Sequence, residues 1–190
     1  KPGFAPSEIV TQTFMIDPLG ADRYGFPILS LVVDSTDLFS AESGIYVYGN
    51  HPDGNYNNKG VAWERIANLE LFDENGSLVL DHKVRSRMHG GGTRTSAKKN
   101  FRIYAEEGAV TNFDFDFFEN YALAQYKRII IRAGGHSPSC FPRDDLANMI
   151  TEGLSVDQQH VKHIILFING EYWGIHTIKE RADNYFLQNK

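Results

Sequence analysis

Val161-Lys-His-Ile-Ile-Leu-Phe-Ile168, then Asn169-Gly170, then Tyr172-Trp-Gly-Ile-His-Thr-Ile178, reads as two strands joined by a tight turn. Asn-Gly between β-rich apolar runs is the strongest short-range hairpin signal, because both turn positions must adopt positive φ. The pattern occurs once more upstream. Ala67-Asn-Leu-Glu-Leu-Phe72 alternates, Asp73-Glu-Asn-Gly76 turns, and Leu78-Val-Leu80 returns. Working outward, Phe26-Pro-Ile-Leu-Ser-Leu-Val-Val-Asp34, Ile45-Tyr-Val-Tyr48, Lys99 to Tyr104 and Tyr126-Lys-Arg-Ile-Ile-Ile-Arg132 are further expected strands. The clearest helix spans 142–153. Pro142 suits its first turn, Asp144 and Asp145 favour its N-terminal dipole, and Gly153 closes it. A short helical turn or loop is expected over 37–44 and a loop over 49–60. An aromatic, acidic edge or loop is expected over 112–118, and a helix from Arg181 to the last residue. Residues 1–20 are broken by Pro2, Pro6 and Pro18 and read as an extended lead-in. This order predicts an α+β fold with a largely antiparallel sheet and few helices. The last helix has no closing glycine, so the domain is expected to continue past residue 190.

Composition excludes several function classes. A net charge of −5 argues against a general nucleic-acid surface. No apolar run reaches 18 residues, so no membrane span is expected. Lys1-Pro-Gly-Phe4 is not a signal peptide, because no apolar region follows it. The single Cys140 excludes an internal disulfide framework and a cysteine-rich zinc site.

Positive charge is nevertheless concentrated in one place. Arg87-Met-His-Gly-Gly-Gly-Thr-Arg-Thr-Ser-Ala-Lys-Lys-Asn-Phe-Arg-Ile-Tyr104 holds three consecutive glycines among arginines and lysines, with no acidic residue. Glycine lets backbone approach a ligand, and successive N–H groups form anion-binding concavities. Gly90, Gly91, Gly92 and Lys99 therefore fit a phosphate or nucleotide cradle, and they fit a flexible hairpin loop with solvated cations equally well. The run lacks the Gly-Lys-Ser/Thr of a P-loop and the spacing of a dinucleotide fingerprint. Arg143-Asp-Asp145 reads as a cap and dipole device. His160 and His163 fall on opposite strand faces with no carboxylate at ligand spacing, so no metal site is expected there. Asp114 and Asp116 share a face, which fits a solvated strand edge and an acid/base pair equally well, and Cys140 has no neighbouring base. Glu180, at a strand–helix junction, fits an orienting carboxylate or a first-turn acid.

Several blocks, in order, resemble the spore-coat protein H (CotH) kinase-like family. They are Trp63-Glu-Arg with Asn68-Leu-Glu-Leu-Phe72, then His89-Gly90, Thr93-Arg94, Lys99 and Phe101-Arg-Ile-Tyr104. Next come Ile131-Arg132 with Gly134-Gly135, and Phe141-Pro-Arg-Asp-Asp145. Phe167-Ile-Asn-Gly-Glu-Tyr-Trp-Gly174 with Lys179-Glu-Arg-Ala-Asp183 is the most specific block. With Pro27-Ile-Leu-Ser-Leu31, Asp37-Leu-Phe39 and Gly44-Ile-Tyr-Val47, the resemblance covers about residues 26–190.

The resemblance implies an atypical protein kinase, exported or associated with a cell surface or spore coat. Such a kinase uses ATP with Mg or Mn and acts on a protein substrate. It also implies a protein-kinase-like N-lobe over 63–190, preceded by a small β-rich segment over 1–62. In such a lobe a glycine-rich hairpin covers phosphates and a strand lysine neutralises them. Lys99 takes the position of the family's lysine, whereas Lys98 points to the other face of that strand. Arg94 and Arg132 would add phosphate contacts. Glu152 of the 142–153 helix would pair with Lys99, and the chain would reach a hinge near Glu180 to Asp183. One departure stands out: Gly135-His136-Ser137 replaces the Asn and Asp common in relatives. The family's metal-holding and proton-accepting acids would lie beyond Lys190. No catalytic residue is therefore assigned within this chain, and no kinase activity is expected of it alone. Two other readings stand beside the kinase. One is a non-catalytic surface binding or structural module on the same scaffold. The other is a carbohydrate enzyme stacking sugars on Tyr121, Tyr126 or Trp173, which would need a carboxylate pair that the sequence does not reveal.

Overall fold

In the computed structural model, the described residues are 10–105, 111–118, 125–134, 143–151 and 154–188. Strands β1 (Ile28–Val33), β2 (Arg65–Phe72), β3 (Leu78–His89), β4 (Asn100–Tyr104), β7 (Arg128–Arg132), β8 (Val161–Ile168) and β9 (Glu171–Glu180) close into one barrel. Around the barrel they run β1-β2-β3-β4-β7-β9-β8. Strands β5 (Phe113–Asp114) and β6 (Gln125–Tyr126) pair as a small separate ribbon. The described α-helices are α1 (Ser35–Phe39), α2 (Arg143–Ile150) and α3 (Asn184–Gln188).

This corrects the expected fold class. The protein is mostly β with a closed seven-strand mixed barrel, not an α+β protein with a kinase-like N-lobe sheet. Both hairpins are present; Asn169 and Gly170 both take positive φ, whereas in the Asp73–Gly76 turn only Gly76 does. Closure comes from a pairing that local pattern does not encode: β1 runs parallel to β8, with Ile28 opposite Ile165 and Ile168 opposite Leu31. Parallel partners need a long connection, so no turn signature announces them.

Alternation decides which side chains fill the barrel. Leu29, Leu31, Leu69, Leu71, Val84, Met88, Phe101, Ile103, Ile129, Ile131, Ile164, Leu166 and Ile178 are all buried in one cluster. At about 25 cal/mol per Å² of apolar surface, this cluster is the main term holding the closure. Outside, residues 11–13 cross β1 and β2. Thr13 N donates to Glu70 Oε1 at 3.2 Å, and the Thr13 and Ser30 hydroxyls are 2.8 Å apart.

The expected strand over 45–48 does not form. Ile45 N and Tyr46 N donate back to Asp37 O and Leu38 O, both at 2.9 Å. The segment is apolar because Ile45 and Tyr46 pack into the core, not because it joins a ladder.

The Asn169-Gly170 turn has φ of 51° and 81°, and the Asn169 carboxamide oxygen accepts from Val33 N at 2.8 Å. Gly170→Ala should therefore cost about 1 kcal/mol, because an L side chain is strained at positive φ. A Tm lower by roughly 2–4 °C in a thermal melt is the expected readout, and an unchanged Tm would contradict this turn geometry.

Candidate functional site

The outer face of β3, β4, β7 and β9 holds a cleft of about 230 Å³. Its lining includes His89 and Gly90 at the end of β3, Thr93 in the turn that follows, Asn100 of β4, Arg132 of β7 and Lys179 of β9. Gly90 has φ 114°, and a Cβ there would run into the Thr93 hydroxyl. Glycine is thus required to bring this backbone against the cleft. Gly91 and Gly92 follow, both exposed, and lead into a single 3₁₀ turn over Gly92–Thr95. Asn100 ties the wall together: its Nδ2 donates to Thr93 Oγ1 at 3.3 Å, and its Oδ1 accepts from Ala133 N at 2.8 Å.

The cations of the cleft come from opposite sequence neighbourhoods. Lys179 follows the inward Ile178 on β9, so its side chain lies on the outer face, where it is 4% exposed. Helix α2 covers it: Asp145 Oδ1 is 3.8 Å from Lys179 Nζ, and Asp145 Oδ2 accepts from Thr177 Oγ1 at 2.8 Å. Asp144, one residue earlier, pairs with Arg132. Burial lowers the pKa of Lys179, and the neighbouring Arg132 charge lowers it further, against the pull of Asp145 and Asp144. His89 is held neutral, its pKa lowered to about 4 by burial and then by Arg102, Arg181, Arg94 and Arg132. The cleft thus sets Lys179 and Arg132 against Asp145 and Asp144, beside a histidine held neutral.

The sequence-derived candidates fall in three places. Gly90 and Arg132 meet at the cleft. Arg94 is 4% exposed and donates through Nε to Gly90 O at 2.6 Å, and through Nη1 to Tyr56 O and Asn57 O at 3.1 Å. It braces the glycine turn against the 3₁₀ turn Asn55–Asn57. Lys99 does not line the cleft. Its Nζ donates to Ser96 O at 2.6 Å and lies 5.1 and 4.7 Å from the Tyr46 and Tyr56 ring centres, and burial lowers its pKa. Glu180 is opposite Ile129, and its Oε2 accepts from His160 N at 2.9 Å and meets His160 Nδ1 at 2.7 Å. Glu152, expected to pair with Lys99, lies outside the described residues.

Sequence reasoning missed Lys179, His89 and Asn100 as site residues, and it read Asp145 only as a helix cap. The signal for Lys179 was present. Thr177, Lys179 and Arg181 alternate with the apolar-side positions 176, 178 and 180, which marks an outward polar row.

A second cavity of about 290 Å³ adjoins the cleft through Gln159 and is lined by Phe117, Phe118, Met149 and His163 among others. It is larger and holds Lys162, but among the described residues a glycine backbone and cations come together at the first.

A family model described as CotH kinase protein matches residues 86–190, more than half of the chain. The chain belongs to the CotH kinase family. No curated protein matches it. The CotH match begins at Ser86 on β3 and takes in every residue of the basic cleft. No described helix is long and apolar enough to cross a membrane. The CotH assignment implies nucleotide and metal use in general terms. Among the described residues, no group of three or more His, Cys, Asp or Glu side chains gathers to hold a metal ion. The two acids beside the cleft, Asp144 and Asp145, already face Arg132 and Lys179. This donor set does not fit Mg or Mn, whereas the cation set and the glycine turn do fit phosphate oxygens.

Proposed function

We propose that this chain supplies the phosphate-binding part of a CotH-type protein kinase that takes ATP. The observation that carries the reading is the convergence of Lys179, Arg132 and the Gly90 backbone on one cleft. Bound ATP supplies a transferable phosphoryl group. Lys179 is a buried point charge for its oxygens, and the Arg132 fork can hold two oxygens at once. Arg132 is free to move because an exposed pair such as Arg132–Asp144 is worth about 0–1 kcal/mol. Gly90, Gly91 and Gly92 bring backbone close, while Arg94 and Lys99 fix the turn that presents them. Phosphoryl transfer also needs a metal and a residue to orient the acceptor. The described acids do not provide these, so the 190-residue chain should bind nucleotide without transferring phosphate. A protein acceptor and a spore-coat or surface location belong to the same proposal.

Calorimetry with ATP, with and without magnesium, tests the reading. Lys179→Ala should weaken binding by about tenfold to a hundredfold. Gly90→Ala should weaken it about tenfold with the fold intact, because the turn must shift away from Thr93. Failure to bind by both this chain and a longer one, or equal binding by Lys179→Ala, would remove the assignment. The non-catalytic module remains the second reading, favoured by the carboxylates that already face both cations.

A further inference from the structure

The four-strand outer face carries more arginine than the cleft uses. Across the sheet, Arg87 is opposite Arg102, Arg102 opposite Ile130, and Ile130 opposite Lys179. The adjacent row holds Arg85, Tyr104 and Arg128, with Arg181 just past β9. Four guanidinium groups here share two carboxylates. Glu64 lies 2.9 Å from Arg85 and 3.9 Å from Arg87, and Asp183 lies 2.8 Å from Arg128 and 3.2 Å from Arg181.

Arg102 is the exception among the described residues, with no carboxylate at ion-pair distance. Its Nη2 is 2.8 Å from His89 Nδ1, and its Nη1 is 3.4 Å from Tyr104 Oη. Tyr104 Oη also accepts from Arg87 Nη2 at 2.8 Å. Arg102 Nε, Arg87 Nε and Arg181 Nη1 are all buried with no hydrogen-bond partner in the protein. A buried donor left unsatisfied on a charged group is costly, so three on one face call for an acceptor. Burial, then Arg102 and Arg128, lower the pKa of Arg181 against the pull of Asp183 and Tyr104, so these cations sense one another across the face.

We infer that Arg102, with Arg87 and Arg181 beside it, forms a second phosphate-binding subsite that adjoins the Lys179–Arg132 cleft through His89 and Ile130. Strands are about 4.8 Å apart, so Arg102 and Lys179 sit about 10 Å apart along their row. That is the spacing of their backbones, and the long side chains let the face take two phosphate groups closer together than that. They are either two ends of one polyphosphate or a nucleotide phosphate and a separate phosphate monoester. The subsite extends the cleft reading, but its donors stand without it.

The test is calorimetry with orthophosphate and tripolyphosphate on the whole chain, with the His89 ring followed by NMR. Arg102→Gln should weaken tripolyphosphate binding about tenfold or more. Arg102→Lys, which keeps the charge but loses the fork, should fall between. A thermal melt confirms that each variant is folded. Phosphate should raise the His89 pKa from its value of about 4, because it neutralises the arginines around the ring. If tripolyphosphate binds once and far tighter than orthophosphate, and Arg102→Gln removes that gain, the subsite holds the end of one chain. If orthophosphate binds twice and Arg102→Gln removes one equivalent, it holds a separate phosphate. If Arg102→Gln binds every probe as the parent does while Lys179→Ala loses binding, the subsite falls and the cleft stands. The reverse result removes the cleft and leaves the subsite. An unmoved His89 resonance at saturating phosphate overturns the subsite.

Discussion

Asp145→Ala should destabilise the protein by about 3 kcal/mol, at the low end for breaking a buried ion pair because the charges are 3.8 Å apart. Asp145 and Lys179 are 3% and 4% exposed, so removing the carboxylate leaves a buried ammonium under α2 without its ion-pair partner. The same change strips the acceptor from Thr177 Oγ1. Apolar packing cannot compensate, because Leu146, Met149 and Ile150 of α2 are 51%, 57% and 70% exposed. Helix α2 is thus anchored to the barrel by polar contacts more than by buried hydrocarbon. Thr177→Val, which removes one hydrogen bond and leaves the charge pair, should cost only about 1 kcal/mol. Urea midpoints at pH 7 measure both. Equal midpoints for Asp145→Ala and the parent would mean that α2 is not held this way.

The ordering of these effects follows from how the barrel presents its faces. Inward positions carry the apolar side chains that close it, so outward positions on β3, β4, β7 and β9 are left for charge. That separation explains why the hairpins were legible and the closure was not. Asn169-Gly170 and Asn75-Gly76 announce their turns through backbone conformation. Nothing local in Ile28-Leu-Ser-Leu-Val-Val33 announces a parallel partner more than 130 positions away. The same limit applies to the site. The glycine run was visible as a local anomaly and Arg132 entered through the family resemblance, and Gly90 and Arg132 do meet at the cleft. Lys179 and Asp145 join them only through strand register and helix placement. Lys99 was chosen for its place in a motif, and the residues that surround it, Tyr46 and Tyr56, come from a loop whose path no pattern specified. Family resemblance named the family that the match over residues 86–190 shows, but not the architecture, since a motif fixes which residues occur and not which strands pair.

Between pH 6.5 and pH 4 the protein should lose stability through two histidines that fold neutral. His176 is fully buried on the inner side of β9, with Nδ1 3.1 Å from Gly174 O and Nε2 without a partner. Burial lowers its pKa to about 4, and the Lys98 charge adds to this. His89 reaches about 4 by burial and by Arg102 of β4, Arg181 after β9, Arg94 of the glycine turn and Arg132 of β7. Above about pH 6.5 both rings are neutral in the folded and unfolded chains, and neither costs anything. As pH falls the unfolded chain takes up the protons first, so unfolding is favoured, and the loss is complete once pH passes below the folded value near 4. At about 1.36 kcal/mol per pH unit, each histidine removes roughly 3 kcal/mol. Two such losses are comparable to the whole stability of an ordinary domain, about 5–15 kcal/mol. Urea denaturation at pH 7, 5.5 and 4.5 reads the slope, and the last point lies just above the midpoints of ordinary carboxylates, about 3.9 and 4.3. His176→Met and His89→Gln should each flatten the profile, and the double variant should nearly level it. A parent that is as stable at pH 4.5 as at pH 7, or a double variant with the parent's slope, would refute the assignment. Tripolyphosphate should flatten only the His89 share, because it neutralises the arginines around that ring and leaves the barrel interior at His176 unchanged.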